Sequence, residues 1–229
     1  MEKKLKREII TTSDGSTTIH FPELDEHYHS IHGAINEAQH VFIEKGFNHV
    51  LASKKFKELR ILEIGFGTGL NAFISYLEAI KNNQKINYIG VEAYPVHIDE
   101  IKQLNYIDQL SAIGYQSGFE TMHESSWNEQ HTISSLFSLT KRKQFFADID
   151  DQNQFDLIYF DAFGARIQPE LWEISVFKKM YEALVDQGVL VTYSAKGSVR
   201  RAMQEVGFFV ERLPGPPGKR EMLRATKKR

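Results

Sequence analysis

The chain has 229 residues and no cysteine. Disulfides, thiolate zinc sites, iron–sulfur clusters and cysteine nucleophiles are therefore excluded. No apolar run approaches the ~18 residues of a membrane-spanning helix, so no membrane association is expected. The first seven residues, Met1-Glu2-Lys3-Lys4-Leu5-Lys6-Arg7, are charged and have no apolar stretch behind them, which predicts no signal peptide. Internal repeats and low-complexity tracts are also lacking. What is present is 41% hydrophobic and 25% charged residues, a globular composition in a length that suits one domain with a small appendage. A soluble cytoplasmic protein is expected.

The net charge of −2 conceals a segregation. Residues 1–195 hold 18 Lys and Arg against 27 Asp and Glu, whereas residues 196–229 hold 10 against 3. A basic segment of this kind suits a polyanion or simply solubilises that part of the chain.

Asp14-Gly15 between the runs 7–12 and 17–21 predicts a hairpin. Helical spacing of Ile31, Ile35, Ala38, Val41 and Phe42 predicts a helix over 29–45 that stops at Gly46. Strands and helices then alternate: strands at 60–64, 87–91, 155–160 and 189–193, helices at 71–81, 173–184 and 199–206. The stretch 104–150 is read as a helix near 131–140 and a strand near 144–148. The runs 208–213 and 221–225, joined by a Pro/Gly loop, are expected to close the sheet as an antiparallel edge. Alternation of this kind predicts a mostly parallel sheet covered by helices. Residues 1–50 are expected to form an N-terminal hairpin-and-helix extension and 51–229 the main domain.

The strand at 60–64 runs into Glu63-Ile64-Gly65-Phe66-Gly67-Thr68-Gly69-Leu70-Asn71. Glycines there let a ligand approach the backbone at the carboxyl edge of the sheet. No Gly-Lys-Ser/Thr follows, so it is not a Walker loop. Its G-x-G-x-G spacing after an acidic residue also differs from the dinucleotide fingerprint. S-adenosylmethionine carries a sulfonium and an ammonium and no phosphate, so Glu63 is compatible with it. Glu92 ends the next strand, 23 residues after Gly69, where a carboxylate accepts ribose hydroxyls. Asp148 is a candidate acceptor for the adenine amino group. Asp161 ends the strand 155–160 beside the glycine loop. Phe163 after it offers a ring for stacking, and Pro169-Glu170-Leu171-Trp172 a wall of the same mouth.

At these residues the chain resembles the methyltransferase half of the MnmC family of bifunctional tRNA-modifying enzymes and their stand-alone MnmD-type relatives. The resemblance rests on Gly65 to Asn71, Val91-Glu92-Ala93-Tyr94-Pro95, Tyr159-Phe160-Asp161-Ala162-Phe163, Pro169 to Trp172, Val199-Arg200-Arg201 and Gly218-Lys219-Arg220-Glu221-Met222. It covers most of the chain, in order. It implies an α/β, Rossmann-like class I methyltransferase fold with a seven-stranded sheet. It also implies S-adenosylmethionine as cofactor, held by Gly65, Gly67, Gly69 and Glu92, with Asp161 at the methyl-transfer site. Phe66, Thr68 and Asn71 are candidate cofactor contacts from the same string. The implied reaction converts 5-aminomethyl-(2-thio)uridine to 5-methylaminomethyl-(2-thio)uridine at the tRNA wobble position, with the anticodon loop as partner.

One departure is that Phe163 is followed by Gly164-Ala165 where the family has Ala-Pro. The sequence also holds no flavin oxidoreductase domain, so a separate enzyme is expected to supply the amine. Arg200, Arg201, Lys219 and Arg220 are expected to meet substrate phosphates, or, for Lys219 and Arg220, to be placed by the Pro214–Gly218 loop beside the substrate base itself. His29 and His32, in the polar patch before the first helix, are expected to border the mouth and contact substrate. Six of nine histidines fall in 20–49, but their spacing matches no zinc motif, so no metal is expected. The rival readings are an aminopropyl transferase of the spermidine synthase type and a non-catalytic nucleic-acid-binding module.

Overall fold

The computed structural model describes residues 6–228. The Asp14-Gly15 turn joins strands β1 (Glu8–Thr11) and β2 (Thr17–Phe21), and β3 (Glu26–His27) adds to β2, giving a small antiparallel sheet. Asp14 holds the turn by accepting from the Ser16 backbone N–H (3.0 Å) and the Thr12 hydroxyl (2.8 Å). Three helical stretches follow without a break: α1 (Ala34–Ala38), a π-helical stretch (Gln39–Phe47) and α2 (Asn48–Ser53). The helix therefore starts later than expected and runs through Gly46 and past residue 50. Gly46 does not stop it. It is a contact point, since a Cβ there would lie 2.9 Å from Val191 Cγ2 in the main sheet. A glycine inside a helix costs about 1 kcal/mol relative to alanine, and close packing against the sheet offsets that.

The main sheet contains β4 (Leu59–Ile64), β5 (Ile86–Val91), β6 (Gln130–Ser134), β7 (Phe137–Arg142), β8 (Phe155–Phe160), β9 (Leu184–Thr192), β10 (Phe208–Pro214) and β11 (Glu221–Lys227). Its order is β10-β11-β9-β8-β4-β5-β7-β6. Helices α3 (Leu70–Lys81), α4 (Ile98–Ile101), α5 (Tyr106–Gln109), α6 (Gln116–Glu124), α7 (Ile174–Ala183) and α8 (Gly197–Val206) fill the crossovers. This is a doubly wound, Rossmann-like arrangement, with one strand more than the expected seven. The extra strand, β6, pairs antiparallel with β7.

That hairpin corrects the reading of 104–150. Residues 131–140 are not helical, because Phe137, Leu139 and Lys141 are buried while Ser138, Thr140 and Arg142 are less so, the period of a strand. The strand expected near 144–148 is a short 3-10 turn, Phe146–Asp148. The chain enters β9 directly at Leu184, and Gly188 lies within that strand near an irregularity in its pairing with β8. The last two strands pair as expected, but β11 is not an edge: it is antiparallel to both β9 and β10 and lies between them.

β8 explains the two-layered core. All six of its residues are buried, as befits a central parallel strand. Leu157 and Tyr159 face the layer of Phe42, Phe47 and Phe73, while Ile158 and Phe160 face Phe177, Met180 and Met203. The N-terminal sheet packs at the carboxyl ends of the central strands: Tyr28 lies against Gly67, and Arg7 pairs with Glu100 at 2.9 Å. No helix among the described residues is long and apolar enough to cross a membrane.

Candidate active site

The loops leaving β4, β5 and β8 open into a cavity of about 1700 Å³, roofed by the N-terminal sheet. Gly65, Gly67 and Gly69 all have positive φ (91°, 49° and 72°). Gly65 needs this conformation most, because a Cβ would lie 2.5 Å from the Asp161 carbonyl oxygen. The backbone N–H groups of Gly65 and Phe66 both donate to Val91 O at 3.0 Å. The Phe66 ring covers Gly90, where a Cβ would come within 2.3 Å of it.

Glu92 leaves the end of β5 and lines the cavity. Its Oε2 accepts from Gly67 N–H (3.1 Å) and its Oε1 from Tyr94 N–H (2.9 Å). Burial raises its pKa against the pull of these donors. A carboxylate has about four acceptor positions, so capacity remains for hydroxyl donors.

Asp161 ends β8, and its backbone N–H is pinned to Ile64 O at 2.9 Å. Asn71, in the first turn of α3, donates from Nδ2 to Asp161 Oδ2 (2.8 Å) and to Glu63 Oε1 (2.9 Å). Burial pushes the Asp161 carboxyl up to about 7, and the Glu37 charge adds to the rise. The Asn71 bond and the Lys219 charge oppose it. Glu63 is fully buried beneath the loop. Burial first, then the Asp161 charge, holds its pKa well above the carboxylate range despite the Asn71 bond.

Glu37 and Lys219 meet across the cavity. Glu37 leaves α1 and accepts from Ser30 N–H at 3.0 Å. Its other oxygen pairs with the Lys219 ammonium from the β10–β11 loop. That ammonium stands 3.9 Å from the centroid of the Tyr193 ring, and Tyr193 donates its hydroxyl proton to Ala162 O at 2.8 Å. The Phe163 ring sits edge-on to Tyr28 (5.1 Å) and Phe21 (5.8 Å), and Trp172 Nε1 donates to Phe163 O at 2.8 Å.

The structure thus brings Gly65, Phe66, Gly67, Asn71, Glu92, His29, Asp161, Phe163 and Lys219 to one cavity. His29 is fixed there by Thr18 Oγ1 (3.0 Å) and Thr68 Oγ1 (3.4 Å), and burial drives its pKa down to about 4, so it is neutral. Glu63, Thr68, Gly69, Asp148, His32, Arg200, Arg201 and Arg220 do not line it. Thr68 is buried against the Tyr106 hydroxyl (3.0 Å). Asp148 is exposed, while its neighbours Phe145, Phe146 and Ala147 line the cavity instead. His32 is exposed and lies against Gly218. Arg200 and Arg201 lie on α8, and Arg220 is exposed beside Lys219. Among the described residues no group of three or more His, Asp or Glu is placed to hold a metal. Sequence reasoning missed the cavity roles of Glu37 and Tyr193, whereas Tyr28 belongs to the polar patch 28–34 expected at the mouth. Glu37 did leave a signal, a carboxylate within the apolar stripe Ala34, Ile35, Ala38, Val41.

These residues fit S-adenosylmethionine. Side-chain-free backbone at Gly65 and Gly67 faces the cavity, and Glu92 and Asp161 supply anionic acceptors for a cationic ligand that brings hydroxyls. The comparisons agree. Residues 115–228 match the family model of S-adenosyl-L-methionine-dependent methyltransferases. The tRNA 5-methylaminomethyl-2-thiouridine biosynthesis bifunctional protein MnmC of Delftia acidovorans is 27% identical over 225 residues, covering 91% of this chain and 33% of that protein. The protein of the same description from Leptospira borgpetersenii is 29% identical over 211 residues, covering 87% and 32%. The chain therefore spans about a third of the length of these relatives.

Among solved structures, MNMC2 of Aquifex aeolicus superposes with a TM-score of 0.77 at 22% identity, over 99% of this chain and 72% of that one. Spermidine synthase of Thermotoga maritima shares the fold at a TM-score of 0.54 and 18% identity, over 97% and 73%. With the strand order, the glycine loop and the strand-end carboxylates in place, the chain is similar to the S-adenosyl-L-methionine-dependent methyltransferases over residues 115–228 and to the MnmC proteins over most of its own length, and it shares the fold of MNMC2.

Proposed function

We propose that the protein methylates the primary amine of 5-aminomethyl-(2-thio)uridine at the wobble position of tRNA, giving 5-methylaminomethyl-(2-thio)uridine. The observation that carries this reading is the Asp161 carboxyl, held at the cavity by Asn71 beside the glycine loop and next to an aromatic wall of Phe21, Tyr28 and Phe163. S-adenosylmethionine, which Gly65, Gly67 and Glu92 would hold, would supply an electrophilic methyl group to the amine lone pair, the C–S bonding pair staying on sulfur.

The chain's own residues prepare that displacement. An ammonium has no lone pair, so the amine must first lose a proton, and Asp161 with a carboxyl near 7 is matched to accept it at neutral pH. The rigid ends of β4 and β8 hold loop and base in fixed relation, and such positioning is the larger part of the acceleration expected. Glu92 binds the ribose. Phe163 and Tyr28 flank a flat base, which enters at modest cost because anticodon-loop bases are already unstacked. Arg200, Arg201 and Arg220 lie outside the cavity and attract backbone phosphates.

The test is nucleoside analysis of tRNA carrying 5-aminomethyl-2-thiouridine after incubation with protein and methyl-labelled S-adenosylmethionine. Label in 5-methylaminomethyl-2-thiouridine is the expected result. Label in any other nucleoside, or none while the cofactor binds, overturns the reading.

A further inference from the structure

We infer that Glu37, Asp161 and Tyr193 form a seat for a primary ammonium, and that the Lys219 ammonium fills this seat until the substrate amine displaces it. The inference rests on the proposed function and deepens it. Lys219 is placed unusually for a lysine in a basic segment, because its side chain turns inward to line the cavity and is only 31% exposed. There it meets a carboxylate on one side and an aromatic face on another. Glu37 is 9% exposed in its side chain and is held by Ser30 N–H. The Tyr193 ring is 3.9 Å from the ammonium, within the range of a cation–π contact. Tyr193 cannot turn away, since its hydroxyl is bonded to Ala162 O, one residue from Asp161.

The electrostatics explain why the seat holds a cation. Glu37 and Asp161 are like charges at one partly enclosed site, and the Glu37 charge disfavours ionisation of Asp161. The Lys219 charge opposes that effect, so a cation seated against Glu37 and Tyr193 favours the ionised Asp161. An aminomethyl group is a primary ammonium at neutral pH, with the same charge and the same three donors as a lysine side chain. Exchange of one for the other leaves the charge of the site unchanged. The flexible lysine stem permits the exchange. Once seated, the substrate ammonium passes one proton to the Asp161 carboxylate, and the freed lone pair forms the bond to the methyl carbon.

The experiment is calorimetric titration of the S-adenosylhomocysteine-bound protein with benzylamine, an ammonium one methylene from a flat ring, and with neutral benzyl alcohol. Lys219→Met is expected to bind benzylamine roughly tenfold more tightly than the natural protein, about the 1.4 kcal/mol of one competing contact. Adding Glu37→Gln to that variant is expected to abolish the gain, and benzyl alcohol to show none of it. S-adenosylhomocysteine affinity, read in every variant, reports an intact fold. Unchanged or weaker benzylamine binding by Lys219→Met, no binding by any form, or an equal gain for the alcohol overturns the seat. The tRNA assay fails separately: the benzylamine pattern without tRNA methylation keeps the seat and removes the tRNA substrate, and tRNA methylation without the pattern does the reverse.

Discussion

The Asn71 amide donates to Asp161 Oδ2 at 2.8 Å while the same nitrogen holds Glu63 Oε1 at 2.9 Å. A cavity-facing carboxyl is thereby tied to a fully buried one through a single side chain. Since this bond lowers the pKa of Asp161, Asn71→Leu should move the acid limb of kcat/KM above about 7 and cost roughly 1–3 kcal/mol of stability by leaving Glu63 unpaired. A pH–rate profile whose limb stays in place would show that Asn71 does not tune Asp161.

Asp161→Asn keeps the shape and the Asn71 neighbour but cannot accept a proton. Methyl transfer should fall by roughly 10²–10⁴, with S-adenosylmethionine binding retained. For the natural protein kcat/KM should rise with pH to a plateau above about 7, where Asp161 is ionised. Equal turnover by the variant at pH 8 would remove Asp161 from the proton path.

Glu92 accepts two backbone N–H groups and has lone pairs left for the ribose. Glu92→Ala should weaken S-adenosylmethionine binding by about 1–3 kcal/mol, the scale of hydrogen bonds to a charged group. Calorimetry showing undiminished affinity would place the ribose elsewhere.

His29 gives a pH-dependent stability difference. Its folded pKa, near 4, lies below the ordinary 6.5. Its contribution is therefore full above about 6.5 and is lost as pH falls through 4, by at most roughly 3 kcal/mol. Asp161, raised from 3.8, works in the opposite direction over the same interval, so total stability is a poor readout. The informative quantity is the gap between His29→Gln and the natural protein, which should shift in favour of the variant as pH drops from 7 to 4.5. A gap constant across urea melts at several pH values would contradict a neutral, enclosed His29.

Arg200 and Arg201 stand outside the cavity. Replacing both by Gln should raise the tRNA KM and reduce the log–log salt slope by roughly one unit per lost phosphate contact, with kcat at saturating tRNA little changed. A fall in kcat with the slope intact would assign them to catalysis.

Local chemistry was the legible part of the sequence. The Asp14-Gly15 turn, the apolar run of β8 and the glycine string after β4 declare themselves within a few residues. The β6–β7 hairpin was obscured because the apolar alternation of Phe137 and Leu139 is cut short by Lys141, a charged residue at the next buried position. Gly46 misled because its cause is a contact with Val191, distant in sequence. Glu37 and Lys219, 182 positions apart, meet only once the sheet is assembled, and no spacing rule foreshadows that. Asp148 shows the reverse, a carboxylate at a plausible sequence position that the turn Phe146–Asp148 leaves exposed while its apolar neighbours line the cavity.

β11 follows β10 in the chain yet sits between β10 and β9. A nascent chain emerged only as far as β10 has both flanking strands and an empty slot between them. During that interval the stretch of β9 that later pairs with β11, from Val189 to Thr192, offers unpaired backbone to a strand from any neighbouring molecule. Insertion of β11 removes that hazard, and the same movement carries Lys219, two residues before it, to the cavity. The Lys219–Glu37 contact therefore depends on the strand that closes the sheet, and it is a marker inside the cavity for a paired β9–β11 edge.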